Sequence, residues 1–144
     1  MTSTLDQSTD RGPLWPLPIP DPDTRGFWAA TAQGVLAVCR CLDCRQWIHA
    51  PLERCRTCMG PVEFAPVSGR GTLHTWIAVN RQAVPGPDVP YLVGVAELEE
   101  APSIRITGVL RTATDLRPQV GMPVTIGLEP TAAGDFVAPV ILPA

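Results

Sequence analysis

Residues 39–58 read CRCLDCRQWIHAPLERCRTC, and all five cysteines of the chain lie in this stretch. Cys41 and Cys44 form one C-x-x-C pair, and Cys55 and Cys58 form a second, ten residues further on. A C-x-x-C turn can direct two thiolates at one metal. Two such knuckles joined by a hairpin supply four soft ligands at the corners of a tetrahedron, the donor set of a structural Zn²⁺ with Zn–S distances of about 2.3 Å. The gap is slightly shorter than the commonest spacing but ample for a hairpin. Four thiolates fill the coordination sphere and leave no position for an activated water, so the expected role is structural. Such binding supplies roughly 10 kcal/mol or more of folding free energy to a segment too small to bury a core of its own.

Other uses of the same cysteines fit less well. Two disulfides are disfavoured in a chain read as intracellular, and a thioredoxin-type pair wants a single motif after a strand in a βαβ setting. An iron–sulfur cluster uses the same four donors and stays open as an alternative to zinc. Cys39 is the odd cysteine, in the apolar run VLAVC. It reads as a buried, inert thiol. The competing reading, a nucleophile, would need a base beside it, and the chain has only His49 and His74.

Working outward from the cysteines, the chain divides into three parts. Residues 1–34 form an arm and a short helix, 35–66 the zinc ribbon, and 67–144 a β barrel. In the arm, Pro13, Pro16, Pro18, Pro20 and Pro22 fix φ and predict an extended course. A helix follows, capped by Asp21 or Asp23 and stopped at Gly34, with Gly26 weakening it by roughly 1 kcal/mol. Beyond residue 67, five runs alternate apolar and polar residues. In the first, Leu73, Thr75, Ile77 and Val79 are expected on one face and His74 and Trp76 together on the other. The second is YLVGVAEL, with Gly94 marking a bulge or a close approach. The third carries Ile104, Ile106 and Leu110, and the fourth Val124, Ile126 and Leu128. Pro139 is expected to put the fifth, FVAPVIL, at an edge or to split it. Turn signals separate the runs: PGPD at 85–88, RPQVG at 117–121 and AAGD at 132–135. The expected fold is mainly β: arm and short helix, zinc ribbon, then a five-stranded OB-fold barrel.

Composition narrows the function. The 144 residues include 17 prolines, well above the usual share of about 5%, which excludes a helix bundle. The net charge is −3 and none of the 11 basic residues is Lys, a poor basis for the phosphate contacts of a nucleic-acid binder. An OB module needs stacking aromatics, and only Trp76, Tyr91 and Phe64 offer themselves. The first twelve residues, MTSTLDQSTDRG, are polar and no long apolar run follows, so neither a secretory signal nor a membrane span is expected and the location is read as cytoplasmic. Neither paired carboxylates nor a nucleophile–base pair stands out, so no catalytic residue is assigned. The lone Gly69-x-Gly71 is a weak phosphate signal with no helix after it, and the acidic ELEE at 97–100 reads as a solvated strand end. Arg40, Arg45, Arg54 and Arg56 make the ribbon locally basic against Asp43 and Glu53. That is either a solvated face or a site for an anionic group such as a CoA phosphate. Trp15, Phe27 and Trp28 either anchor a partner or cover the chain's own ribbon and barrel.

The order Phe27-Trp28, Gly34-Val-Leu, Cys41-x-x-Cys44, Pro51, Cys55-x-x-Cys58, Ser68-Gly-Arg-Gly-Thr72, Pro90-Tyr91 and Gly121-Met-Pro-Val124 resembles the DUF35 family. These are proteins with a rubredoxin-like zinc ribbon and an OB-fold, associated with acyl-CoA metabolism. The resemblance spans roughly residues 20 to 142. It departs from the family pattern at Arg45 and Met59, where knuckles often carry Gly. The resemblance implies a non-catalytic accessory subunit of a thiolase-fold enzyme acting on acyl-CoA thioesters: an aldolase that cleaves steroid side chains, an acetyltransferase, or a condensation complex. In some members the barrel helps accommodate CoA, and the partner carries the catalytic residues. Trp15, Phe27, Trp28 and the ribbon arginines Arg40, Arg45, Arg54 and Arg56 are the candidate contacts to such a partner or to CoA. A self-contained acyl-CoA binder is the alternative, and a nucleic-acid-binding OB module the next. No membrane partner is expected.

Overall fold

The computed structural model describes residues 16–82, 88–113, 116–131 and 136–144. The expected turns at 85–88 and 132–135 fall largely or wholly outside these residues, as does Trp15. In chain order the elements are helix α1 (Arg25–Ala32) and strands β1 (Ala37–Cys41), β2 (Trp47–Ile48), β3 (Val62–Pro66), β4 (Arg70–Val79), β5 (Tyr91–Leu98), β6 (Arg105–Leu110), β7 (Pro123–Pro130) and β8 (Val137–Pro143). The protein is mainly β. A three-stranded sheet in the order β2-β1-β3 is followed by a closed barrel in the order β4-β5-β6-β8-β7. Counted within the barrel, that order is 1-2-3-5-4. All its pairings are antiparallel except β6 with β8, and β4 closes on β7 through Gly71↔Val124.

The helix begins differently from its sequence expectation. Thr24 is the N-cap and makes no side-chain capping bond. Asp21 instead organises the turn before it: its Oδ1 accepts the Thr24 N–H and the Thr24 hydroxyl, each at 2.7 Å. These bonds favour the charged form and lower the Asp21 pKa. The end matches expectation. Gly34 has φ +76°, its N–H bonds the Thr31 carbonyl, and the Val35 N–H reaches the Ala30 carbonyl. This is the double bond of a Schellman stop, which needs a residue with a free positive φ. Gly26 sits within the helix because a Cβ there would overlap the Phe64 ring of β3.

The alternation expected in β4 holds only as far as Leu73. The ladder pairs Leu73 with Ala96 but Thr75 with Val95, so His74 is an extra, bulged residue. The bulge reverses the faces beyond it. Trp76 turns in against the core above Gly94, while Ile77 is left 59% exposed. His74 and Trp76 therefore do not share a working face. His74 is exposed, 3.9 Å from the Glu97 carboxylate, which also pairs with Arg105 at 3.4 Å. The acidic ELEE segment is likewise tied in: Glu99 pairs with Arg70 at 2.8 Å, and Glu100 accepts the Ser68 N–H.

Pro139 also corrects an expectation, since β8 is neither an edge strand nor split. It runs unbroken between β7 and β6. Pro139 opposes Leu128 of β7, and parallel pairing with β6 begins only at Val140. The missing N–H thus falls where β6 offers no registered partner. Gly108 of β6 allows the close approach there, since a Cβ would stand 2.7 Å from the Pro139 carbonyl oxygen.

Leu73, Leu98, Val124 and Ile141 are fully buried at the centre of the barrel. Leu36 and Val38, from the start of the ribbon, are buried in the same cluster. One core therefore runs from the ribbon's central strand into the barrel, and full burial of such side chains stabilises by about 1.5–3 kcal/mol each.

Candidate metal centre and the adjoining cleft

The four cysteines of the two knuckles converge. Their Sγ atoms all lie within 4.8 Å of one another, with Cys41 and Cys58 3.4 Å apart and Cys44 and Cys55 3.6 Å apart. A regular tetrahedron with Zn–S bonds of about 2.3 Å has edges of about 3.8 Å, so the closest pairs are near the spacing one ion imposes. The four could hold a metal ion.

The knuckles are built alike. The Cys41 N–H bonds the Gln46 carbonyl and the Cys55 N–H bonds the Gly60 carbonyl, each across five residues. Backbone N–H groups point at sulfur: Cys44 N–H at Cys41 Sγ (3.5 Å) and Thr57 N–H at Cys55 Sγ (3.4 Å). Closing each turn requires a left-handed residue four positions after its first cysteine, and there stand Arg45 (φ 64°) and Met59 (φ 61°). These are the two positions where the sequence departs from the family pattern. A left-handed conformation costs an L-residue about 1–2 kcal/mol, so the chain carries that strain twice. Gly60 lets the knuckles approach, because a Cβ there would overlap the Asp43 carboxylate. The Thr57 hydroxyl links them by donating to Gln46 Oε1 at 2.5 Å.

Charge also favours a cation. The N–H groups of Cys58 and Thr57 bring the Cys55 thiol down to about 6. Cys44 is pushed up to about 12: the Gln46 N–H pulls the other way but is outweighed by burial and the neighbouring thiols. Four sulfurs this close cannot all ionise unless positive charge sits among them.

Cys39 takes no part in the cluster. It is a buried free thiol in β1, its Sγ 4.0 Å from the Leu52 carbonyl, and burial raises its pKa. The ribbon arginines are less free than the sequence suggests, because Glu63 of β3 is a further counter-ion beside Asp43 and Glu53. Arg40 pairs with Glu63 at 2.8 Å and stacks on Trp47, 5.1 Å from the ring centre. Arg45 approaches the same carboxylate at 3.9 Å, and Arg54 donates to the Met59 carbonyl. Arg45, Arg54 and Arg56 remain exposed beside Leu42 and Met59.

Phe27 and Trp28 turn inward. Phe27 packs against the shared core, and Trp28 meets Phe27 and Phe136 edge-on at 5.0 and 5.6 Å between ring centres. Phe64 lies in the ribbon beneath the helix, so it offers the barrel no stacking platform. The rings of Phe27, Trp28 and Phe64 wall a cleft of about 460 Å³ where helix, ribbon and barrel meet. Cys39, His49 and Pro51 form its ribbon side, and Ile106 and Pro139 its barrel side. No local pattern announces this cleft, whose walls lie up to 115 residues apart (Thr24 to Pro139). His49 is exposed at the cleft mouth, and partial desolvation by its surroundings lowers its pKa. Among the described residues, no helix is long and apolar enough to cross a membrane.

Comparison with known proteins agrees with this architecture. Residues 65–129 match the family model "ChsH2, C-terminal OB-fold domain". The chain is 33% identical over 103 residues to the 3-oxo-4,17-pregnadiene-20-carboxyl-CoA hydratase alpha subunit of Mycobacterium tuberculosis, covering 71% of this chain and 32% of that protein. It is 29% identical over 143 residues to a "probable enoyl-CoA hydratase alpha subunit" of Thermomonospora curvata, covering 96% of this chain and 43% of the relative. The chain thus spans well under half the length of these relatives. Among solved structures, a chain of the Ltp2-ChsH2(DUF35) aldolase superposes with a TM-score of 0.80 at 25% identity, covering 88% of this chain and 98% of that one. A DUF35-family protein of unknown function from Sulfolobus solfataricus shares the fold, with a TM-score of 0.58 at 10% identity over 85% of this chain and 86% of that one. Residues 65–129 are thus similar to the ChsH2 C-terminal OB-fold domain, and the chain shares its overall fold with these DUF35 structures.

Proposed function

We propose that this chain is a non-catalytic accessory subunit of a thiolase-fold enzyme acting on acyl-CoA thioesters, its ribbon held by one structural Zn²⁺ on Cys41, Cys44, Cys55 and Cys58. The observation that carries the reading is the superposition, over nearly its whole length, of a DUF35 chain from an aldolase complex. The two hydratase alpha subunits add that relatives of this sequence work on CoA thioesters as parts of larger assemblies. Bound zinc would tie the two knuckles into one rigid end of the ribbon. With four thiolates on it, it would have no position to offer a substrate. The residues of this chain then act by presenting a surface. Leu42, Met59, Arg45, Arg54 and Arg56 are all exposed on the two knuckles, a mixture of apolar and guanidinium groups that suits an interface. Arg40 is spent on Glu63 and Trp47, while Phe27 and Trp28 would serve by fixing the helix rather than as free anchors. Trp15 stays a candidate contact.

The test is to produce the chain with and without a thiolase-fold protein encoded beside it, and to assay CoA-thioester cleavage and condensation. A stable complex that turns over, together with an inert isolated chain, is the expected result. Turnover by the isolated chain at the rate of the complex overturns the accessory role. Failure to associate with any thiolase-fold protein favours the alternative of a self-contained acyl-CoA binder.

A further inference from the structure

We infer that the cleft between helix, ribbon and barrel is a binding site for an uncharged, hydrocarbon-rich small molecule or group. Its volume of about 460 Å³ falls within the range of about 300–1,000 Å³ typical of small-molecule sites. Its walls are the rings of Phe27, Trp28 and Phe64 and the aliphatic surfaces of Ile106, Ala138 and Pro139. Among the described residues, no Arg, Asp or Glu lines it, although the ribbon beside it carries four arginines. A ligand seated there meets no counter-charge, so a phosphate or carboxylate inside would be desolvated without compensation.

The few polar side chains point the same way. The Thr24 hydroxyl is already committed to Asp21. His49 lines the ribbon side of the cleft, and desolvation there lowers its pKa, which disfavours a charged ring. With Thr107 it can serve one oxygen of a ligand but not a row of amides. A peptide strand or loop laid in the cleft would leave most of its N–H and C=O groups unpaired, whereas a hydrocarbon has none to pair. The occupant is therefore a small apolar group rather than a segment of protein. This deepens the acyl-CoA reading by assigning the cleft to the hydrocarbon part of such a molecule and excluding its nucleotide, but its test needs no partner enzyme.

The probes are decanol, decanoate and CoA, titrated into the full chain while tryptophan emission and the methyl and aromatic NMR signals of the cleft are followed. Decanol is expected to bind saturably, one per chain, at least tenfold more tightly than decanoate, and 1 mM CoA is expected to leave its affinity unchanged. Ala138→Phe, which fills the cleft from β8, should weaken decanol at least tenfold. Circular dichroism and metal content check that this variant is folded, and the three-probe comparison on the unaltered chain stands without it. Non-saturating decanol binding, tighter binding of decanoate, competition by CoA, or decanol shifts mapping outside the cleft would each overturn the inference. None of these results depends on whether a thiolase-fold partner is found.

Discussion

Replacing Gly26 by Ala sets two physical effects of opposite sign against each other. Intrinsic propensity alone makes Ala better than Gly inside α1 by about 0.8–1 kcal/mol. The packing says otherwise. A Cβ on residue 26 would overlap Cδ2 and Cε2 of Phe64 and stand 3.2 Å from its Cγ. Phe64 is a half-buried β3 residue registered against Cys39, so its ring gives way only by leaving its place under the helix. Overpacking of this kind costs about 1–3 kcal/mol. Taking about 2 kcal/mol for the clash and about 1 kcal/mol for the propensity gain, Gly26→Ala should destabilise the protein by about 1 kcal/mol. In a domain of this size that lowers the thermal midpoint by roughly 3–5 °C. Urea unfolding of the metal-loaded protein measures it, with the slope checked so that only the midpoint moves. The double-mutant cycle with Phe64→Ala isolates the cause: with the ring gone, Gly26→Ala should become stabilising, giving a coupling of at least 1 kcal/mol. If Gly26→Ala by itself raises stability by about 1 kcal/mol, the helix–ribbon contact is not as described and the argument fails.

The knuckles give a second prediction. Arg45→Gly and Met59→Gly should each keep full metal content and stabilise by about 0.5–1 kcal/mol, since the left-handed strain of about 1–2 kcal/mol exceeds the entropic cost of Gly of about 0.5–1 kcal/mol; equilibrium unfolding decides the sign. Metal analysis provides a third. One zinc per chain should be found, Ser at Cys41, Cys44, Cys55 or Cys58 should lose it, and Cys39→Ser should keep it; a variant of Cys39 that arrives empty contradicts the assignment. Zinc removal should also lower the unfolding midpoint of the barrel, because Leu36 and Val38 of the ribbon fill the barrel core. The fourth concerns pH. The folded pKa of His49 lies below its unfolded value of 6.5, so on acidification the unfolded chain takes up this proton first. Stability should therefore fall as pH drops from about 6.5 through the lower folded value, and level off beneath it. His49→Phe should flatten that slope, and an unchanged slope in the variant would show that His49 is not its source.

The features legible in the sequence were those fixed by short-range chemistry. The two C-x-x-C pairs declare a four-thiolate cluster because each knuckle is a single turn. Gly34 declares the helix stop because only a free positive φ closes it, and the five barrel strands show through their period-two pattern. The features that stayed hidden depend on a neighbour far along the chain. Nothing local at His74 announces a bulge; it appears only when β4 is set against β5, and it exchanges the faces of Trp76 and Ile77. Pro139 reads as a strand breaker until the register shows that its missing N–H faces no β6 partner. Gly26 reads as a weakness in the helix until Phe64, 38 positions later, is found against it.

The same distinction explains why the candidate sites were unequally visible. A metal site made from two turns can be read from spacing, whereas the cleft draws its walls from α1, the ribbon and two barrel strands. The sequence leaves Phe27 and Trp28 either to anchor a partner or to cover the chain's own ribbon and barrel, and their packing does the second. They hold α1 across the seam between ribbon and barrel, and in doing so they leave an uncharged space lined with rings beside Cys39 and His49. Because Leu36 and Val38 run from the ribbon into the barrel core, the position of that wall depends on the knuckles being closed. Loss of the metal should therefore be felt in the cleft before it is felt at the far side of the barrel. Stripping zinc with a chelator while following decanol binding and barrel unfolding separately makes the order measurable. Binding should be lost at the lower chelator concentration, and simultaneous loss, or loss of the barrel first, would show that ribbon and cleft are not coupled in this way.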